Sequence, residues 1–213
     1  MLKRDWWKYL SGILLLYAVI FGFFVDIPDN PINQQTFRNV FYHVGMWFGM
    51  FSMLITGFIF SLRYLRKFDE AEDIVAVEAV NVGLMFGFLG IFTGMIWGKY
   101  TWGAAWANDP KLIGAAVGLM IYLAYMILRG SIDDLHKRAK VSSVFNIFAF
   151  FMWIVFVLVQ PRLAKEGVHI KNVDGMSFSM RIVFFPAMIG WVLLGFWIMN
   201  IRVRIRKIQM KME

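Results

Sequence analysis

The densest group of chemically useful side chains is a tryptophan-rich segment of residues 97–111, read WGKYTWGAAWANDPK. Indole rings present flat apolar faces on which other flat molecules stack. Trp102 and Trp106 are four residues apart, so on a helical turn they would share one face. The spacing, with Gly103 between them, predicts a shelf for a flat, hydrophobic macrocycle. An aromatic belt at headgroup depth is a sufficient explanation for Trp97 alone. Such belts consist of scattered aromatic residues, so a belt explains the whole cluster less well.

The sequence contains three histidines, and two of them lie in segments that flank the tryptophan-rich segment. His43 stands at the mouth of a long apolar run, and His169 lies in a polar stretch before the last one. Neutral imidazoles bind haem iron axially, so this pair predicts a haem held between two histidines beside the aromatic shelf. Two nitrogens without a third ligand make a poor zinc site. His136, beside Lys137 and Arg138, is expected to be solvated.

The propionates of a haem need cations, and four basic residues lie near helix ends on the same side: Arg38, Lys99, Lys111 and Arg181. Each could form an ion pair with a propionate carboxylate. Each could equally be a membrane anchor, with its aliphatic stem along apolar surface and its charge at the interface. Four methionines are rival axial ligands: Met46, Met50, Met176 and Met180. With 15 methionines in the chain, ordinary packing is the default for them. Asp109 and Pro110 also fit the start of a helix, as cap and first-turn residue.

The elements that position these residues are apolar runs of membrane-spanning length. The 213 residues are 60% hydrophobic, and their mean hydropathy is +0.62. A spanning helix needs about 20 apolar residues. We therefore predict an all-α, polytopic membrane protein, a single six-helix domain of residues 1–213 with a tryptophan-rich external loop at about 97–112. The six runs are 10–24, 41–60, 74–97, 112–128, 144–159 and 182–201. The first follows basic residues but precedes no small-residue cleavage site, so we interpret it as a retained helix.

The basic residues predict the orientation. Fifteen of the 22 Lys and Arg residues fall in the two termini and in the loops 61–73 and 129–143. The positive-inside rule puts these in the cytoplasm and the loops 25–40, 98–111 and 160–181 outside. The cytoplasmic loops mix both signs, which favours solvated helix ends. The basic tail and the +8 net charge suit anionic lipid headgroups better than nucleic acid.

Glycines at a spacing of four indicate close helix contacts. The pairs are Gly45 with Gly49, Gly83 with Gly87 and Gly90 with Gly94. Small residues at this spacing let helices approach closely in lipid. Because two of the pairs lie in the third apolar run, we predict that this helix is central to the bundle. The sequence has no cysteine, so thiol chemistry would need a partner protein.

Two segments resemble the CcmC family, the tryptophan-rich "WWD" haem-handling membrane proteins of cytochrome c maturation. Trp102-Gly103-x-x-Trp106-x-x-Asp109-x-x-Leu112 is similar to the WWD signature. Arg38-x-x-x-x-His43-Val44 resembles the segment that carries the first external histidine of that family. Length and helix number also fit. Family members commonly have aromatic residues at the positions of Ala105 and Asn108, and arginine at the position of Lys111.

The resemblance implies a specific function. It implies transient binding of haem b on the outer face of a bacterial inner membrane, between His43, His169 and the WWD loop. It implies transfer of the haem to a CcmE-like chaperone, with a CcmAB-like ABC complex and a CcmD-like small subunit as partners. The expected role is binding and transfer rather than catalysis, with both termini cytoplasmic and the haem site facing the periplasm.

Two other functions stay open on the sequence alone. A cytochrome b-type electron-transfer subunit usually needs paired histidines inside its helices, and no histidine lies in the middle of an apolar run. A transporter of haem or another small molecule would often carry charges within the membrane. Glu78 is the nearest candidate, but it lies close to the cytoplasmic end of its run. A haem absorption spectrum would separate these functions.

Overall fold

The computed structural model describes residues 2–27, 34–164 and 176–212, and within them six helices are long and apolar enough to cross a membrane. This confirms the all-α polytopic fold. The elements are α1 (Leu2–Phe24), a 3₁₀ helix (Gln34–Asn39), α2 (Val40–Lys67), α3 (Glu70–Trp102), α4 (Pro110–Gly130), α5 (Leu135–Ile154), a π-helical turn (Val155–Val159), α6 (Gln160–Leu163) and α7 (Phe178–Gln209). The segment from α5 to α6 forms one continuous span.

Side-chain caps fix where several helices begin. Asp69 accepts a hydrogen bond from the backbone N–H of Ala71 at the start of α3, and Asp134 accepts one from Lys137 at the start of α5. Ser177 does the same for Met180 at the start of α7. These caps bind backbone donors that a helix leaves unpaired in its first turn. The residues at these positions therefore determine where the three helices begin.

The helices extend beyond the apolar runs, so several predicted loop boundaries are wrong. Of the predicted loop 61–73, only Phe68 and Asp69 lie outside α2 and α3. Residues 98–102 of the predicted loop 98–111 belong to α3. With 33 residues, α3 is about 50 Å long, against about 30 Å for the hydrocarbon core. Water can hydrogen-bond to polar side chains on a helix end as well as to those on a loop. The change from apolar to polar residues in the sequence therefore marks the membrane boundary rather than the end of the helix.

The third spanning helix is the central one, as the glycine pattern predicts. In its most apolar stretch 67% of residues are buried, against 17–44% in the other spans. Leu54 of α2 packs over Gly83, and a Cβ there would lie 2.9 Å from the leucine side chain. Conversely, Phe86 of α3 packs over Gly49 of α2. The two helices therefore interlock through glycines on both sides, which confirms the predicted close contacts.

Two acidic residues near the start of α3, Glu72 and Asp73, are paired rather than solvated. Glu72 is only 5% exposed and lies 2.7 Å from Arg63 of α2. Asp73 forms a two-pronged pair with Arg129 of α4, at 2.8 and 2.6 Å. The expectation of solvated helix ends is wrong for these two carboxylates. Each is inside the bundle because a neighbouring helix supplies its counter-ion, which the sequence of one loop does not reveal.

Candidate functional site

The imidazole of His43 sits on a glycine of the neighbouring helix, at the end of the bundle where α2 begins and α3 ends. A Cβ on Gly94 would lie 2.8 Å from Cε1 of His43. One turn further along α2, Trp47 packs over Gly90, where a Cβ would lie 2.9 Å from the indole. The two glycines of α3 thus form adjacent seats for two rings of α2. The spacing of Gly90 and Gly94 predicted a close helix contact, but the sequence did not show that a histidine ring would pack there.

Aromatic rings and one hydroxyl surround His43. The edge-to-face ring contacts have centroid separations of 5.6 Å to Trp97 and 6.2 Å to Trp47. Nδ1 of His43 lies 3.1 Å from the hydroxyl oxygen of Thr93. Ring contacts of this kind add about 0.5–1.5 kcal/mol beyond area burial. The imidazole is therefore held from several sides while it remains half-buried.

Trp97 links this histidine to the 3₁₀ helix that precedes α2. Its indole N–H donates to the hydroxyl of Thr36 at 3.3 Å, and its ring meets Phe37 edge-on. Asn39 donates to the backbone carbonyl of Thr93 at 3.4 Å, a second tie between the same elements. The sequence favoured a simple belt role for Trp97, whereas the structure gives it a packing role against His43.

Arg38 forms the cap at the end of α1. Its Nη1 donates to the carbonyls of Gly22 at 2.5 Å and Val25 at 2.8 Å, while Nε donates to Gln35 at 2.8 Å. Gly22 belongs to the last turn of α1, where carbonyls lack an intrahelical partner, and Val25 directly follows the helix. Arg38 thereby fixes the 3₁₀ helix against α1. Its guanidinium still has a second terminal nitrogen, Nη2, which makes none of these three bonds.

The tryptophan-rich segment does not form the predicted helical shelf. Trp102 is the last residue of α3, and Gly103 follows with a φ of 79°, a left-handed conformation that suits glycine. The chain then turns back, so that the carbonyl of Ala104 and the ring of Trp102 both pack against Gly98. Trp106 lies beyond the helix and is 46% exposed. The four-residue spacing was misleading because the glycine between the two tryptophans ends the helix.

Asp109 caps α4, as the sequence predicted. Its carboxylate accepts from the backbone N–H groups of Lys111 at 2.8 Å and Leu112 at 3.4 Å, and Pro110 stands in the first turn. The side chain is 1% exposed. The carboxylate therefore closes the tryptophan-rich segment onto α4, and the half-buried Lys111 follows it in that first turn.

Replacing Asp109 with alanine should lower the free energy of unfolding by about 1 kcal/mol, since an N-cap is lost. Asp109→Asn keeps an acceptor oxygen and should retain most of the stability. Thermal unfolding in detergent measures the difference. Asp134→Ala, which removes the cap of α5, is a matched control for cap loss elsewhere. An Asp109→Ala protein as stable as the parent would contradict the capping role.

The structure places the other candidates as follows. His169 lies outside the described residues. Arg181 and Lys99 are exposed, and the ammonium of Lys99 donates to the carbonyl of Gly103 at 3.4 Å. The four candidate methionines, Met46, Met50, Met176 and Met180, are all buried among apolar side chains, which supports their packing role. His136 lies in the first turn of α5 and is exposed. Its backbone carbonyl is 3.5 Å from the hydroxyl of Tyr64, near the end of α2 that is far from His43.

Sequence reasoning missed Thr93 and Trp47 as neighbours of His43. A signal was present, because His43 and Trp47 have the same four-residue spacing as Gly90 and Gly94, and Thr93 precedes Trp97 by four. Residues four apart share a helix face. Matching the ring pair to the glycine pair would have required the register of α2 against α3, which only the structure supplies.

Comparison with known proteins gives a consistent result. The sequence profile of the family described as Heme exporter protein C matches residues 2–213. The chain is 31% identical over 121 residues to the Heme exporter protein C of Bradyrhizobium diazoefficiens, covering 56% of this chain and 46% of that protein. The identity is 25% over 200 residues to that of Paracoccus denitrificans, covering 88% and 79%. It is 23% over 218 residues to that of Escherichia coli K12, covering 98% and 84%.

Proposed function

The chain belongs to the Heme exporter protein C family, and on that premise we propose that it binds haem at the outer membrane surface and passes it on during cytochrome c maturation. The observation that carries the proposal is the seating of His43 on Gly94, against Trp97. It puts a half-buried imidazole at the bundle end from which the tryptophan-rich segment emerges. A fixed imidazole with flat apolar rings beside it fits a haem as cargo.

The proposed site has one ligand from this seat and one from the segment before α7. His43 and His169 would be the axial ligands of the haem iron. Trp106 is exposed and would offer its face to the macrocycle, while Trp102, Gly103 and Asp109 hold the segment in shape. The loop departs from a helical shelf, so we propose contact through Trp106 rather than through two stacked indoles.

Cations near this end would pair with the haem propionates. Lys111 lies in the first turn of α4, directly after the buried cap Asp109. Nη1 of Arg38 donates to the carbonyls of Gly22 and Val25, and Nε donates to Gln35, so a bond to a propionate would come from Nη2. Three hydrogen bonds of 2.8 Å or less hold the Arg38 guanidinium in place. Charge-assisted pairs of this kind orient the bound molecule as well as adding affinity.

The charge distribution supports the orientation. The end that carries His43 has fewer basic residues. The opposite end has the basic tail, which consists of Arg202, Arg204, Arg206 and Lys207 of α7 and of Lys211 just after it. By the positive-inside rule the His43 end would lie outside and both termini in the cytoplasm. The membrane would be a bacterial inner membrane, as the family membership implies. We propose a single membrane domain of residues 1–213 that acts without catalysis and delivers haem b to a CcmE-like chaperone, with CcmAB-like and CcmD-like partners.

The test is an absorption spectrum of the purified protein titrated with haem. Two histidine ligands predict a six-coordinate, low-spin spectrum, and incubation with a purified CcmE-like chaperone should move haem to the chaperone. A protein that binds no haem, or a His43→Ala/His169→Ala double variant with an unchanged spectrum, would contradict the ligand assignment. Retained binding with no transfer would contradict only the chaperone step.

Replacing Gly94 with alanine should weaken haem binding without unfolding the bundle. The new methyl group would stand 2.8 Å from the imidazole, and overpacking of this kind costs about 1–3 kcal/mol. If binding needs the imidazole in its seat, a free-energy cost of that size lowers haem affinity by about 5- to 150-fold. Haem titration measures it.

Gly12→Ala is the control for this substitution, since a Cβ at Gly12 meets nothing within 4 Å. It should bind haem as the parent does. Gly90→Ala tests the neighbouring seat, where Trp47 rather than His43 would have to move. Equal haem affinity in the parent and in Gly94→Ala would show that the position of His43 on α3 does not matter for binding.

A further inference from the structure

The hydroxyl of Thr93 is committed to its own helix. Its Oγ1 lies 2.8 Å from the carbonyl oxygen of Leu89 and 3.1 Å from that of Gly90. A carbonyl oxygen only accepts hydrogen bonds, and a hydroxyl has one proton to donate. Two oxygens 2.8 Å apart need a proton between them. The proton of Thr93 therefore points at these backbone carbonyls and away from its other neighbour.

That other neighbour is Nδ1 of His43, 3.1 Å from the same oxygen. Since the hydroxyl proton is already used, the oxygen of Thr93 accepts and Nδ1 of His43 donates. A neutral imidazole carries its proton on one nitrogen only, and the other nitrogen holds the lone pair. The hydrogen-bond pattern thus selects the tautomer with the proton on Nδ1 and the lone pair on Nε2.

We propose that Thr93 is a positioning residue that holds His43 in this tautomer, so that Nε2 is the nitrogen that coordinates haem iron. The proposal rests on the proposed function, because it assigns the ligating atom of that same site. Histidines that bind metals commonly donate their other N–H to an oxygen, which fixes the tautomer and the ring orientation.

The surroundings of Thr93 make it a rigid partner. It lies on α3 one residue before Gly94, which seats the imidazole, and four before Trp97, which packs against it. Asn39 donates to its backbone carbonyl at 3.4 Å. The hydroxyl, the glycine seat and the indole therefore belong to one turn of one helix. A change in the hydroxyl alone is the cleanest way to separate hydrogen bonding from packing.

Thr93→Val removes the hydroxyl and keeps the shape, whereas Thr93→Ser keeps the hydroxyl and removes a methyl group. Loss of such an outer hydrogen bond typically lowers metal affinity by 10–100-fold. We expect Thr93→Val to weaken haem binding by about tenfold or more and to add a high-spin fraction to the spectrum, by the same argument. Thr93→Ser should keep the parent spectrum. Equal haem spectra and affinities for the two variants would overturn the proposal.

A haem-free measurement separates this inference from the proposed function. In ¹⁵N-histidine NMR of the protein in detergent, the His43 signals are identified by their loss in His43→Ala. The parent and Thr93→Ser should show the proton on Nδ1, and Thr93→Val should show a mixture or the other tautomer. A proton on Nε2 in the parent would overturn the inference even if haem binds. A parent that fails to bind haem but has the Nδ1 proton would contradict the proposed function alone.

Discussion

Replacing His43 with alanine should abolish the low-spin haem spectrum of the purified protein. Loss of this proposed axial ligand would leave the iron with one histidine of the proposed pair, so the spectrum should become high-spin. We expect affinity to fall by at least about 100-fold, since losing even a group that supports a ligand costs 10–100-fold. Removal of the side chain would leave space over Gly94 where the imidazole ring packs. Free imidazole added to the solution should therefore restore part of the low-spin spectrum.

His136→Ala is the matched control for this result. His136 is exposed and lies near Tyr64, which is 21 residues after His43 and thus about 30 Å further along α2. Its removal should leave spectrum and affinity unchanged. If His43→Ala kept a low-spin spectrum that external imidazole did not alter, the iron would have two other ligands. The proposed role of His43 could not survive that outcome.

The sequence predicted the scaffold of this site more completely than the site itself. Apolar runs, the cap Asp109 and the glycine spacing are local features, and each is present in the structure. The contact between His43 and Gly94 is not local, because it depends on how far α2 is displaced along α3. Composition and spacing do not set that displacement. It depends on the fit of many side chains across the two helices.

The helical shelf shows how a local pattern can be outweighed by one residue. Trp102 and Trp106 have the right spacing for a common face, but Gly103 adopts a positive φ and ends α3 between them. A left-handed residue is costly for any side chain with a Cβ and cheap for glycine. Other glycines, such as Gly90 and Gly94, lie inside the same helix. The aromatic spacing therefore did not by itself show whether Gly103 continues α3 or ends it.

The ion pairs of α3 are the other feature that the sequence did not predict, and they have a common arrangement. Three carboxylates, on Glu72, Asp73 and Glu78, each contact an arginine of a different helix, respectively α2, α4 and α7. The central helix is thus tied to three neighbours at the end away from His43. This arrangement also gives Glu78, the residue nearest to an intramembrane charge in the sequence, a structural partner in Arg202 at 2.6 Å.

Breaking the most buried of these pairs should destabilise the protein severely. The side chains of Asp73 and Arg129 are each only 13% exposed, and they meet through two hydrogen bonds. Removing one partner of a buried pair costs about 3–5 kcal/mol, because the other charge is left without compensation. We expect Asp73→Ala to lower the free energy of unfolding by that amount, measured by denaturant unfolding in micelles.

Two further variants decide whether the cost comes from the stranded charge. Asp73→Leu combined with Arg129→Leu removes both charges, and replacement of a buried pair by apolar residues is often neutral or stabilising. The double variant should therefore recover much of the stability lost in Asp73→Ala. Arg63→Ala is the control, since Arg63 is 46% exposed and Lys67 remains 3.4 Å from their shared partner Glu72. Its cost should stay within about 1 kcal/mol, as for exposed pairs. A double variant no more stable than Asp73→Ala would show that the pair is needed for its specific geometry rather than for mutual neutralisation.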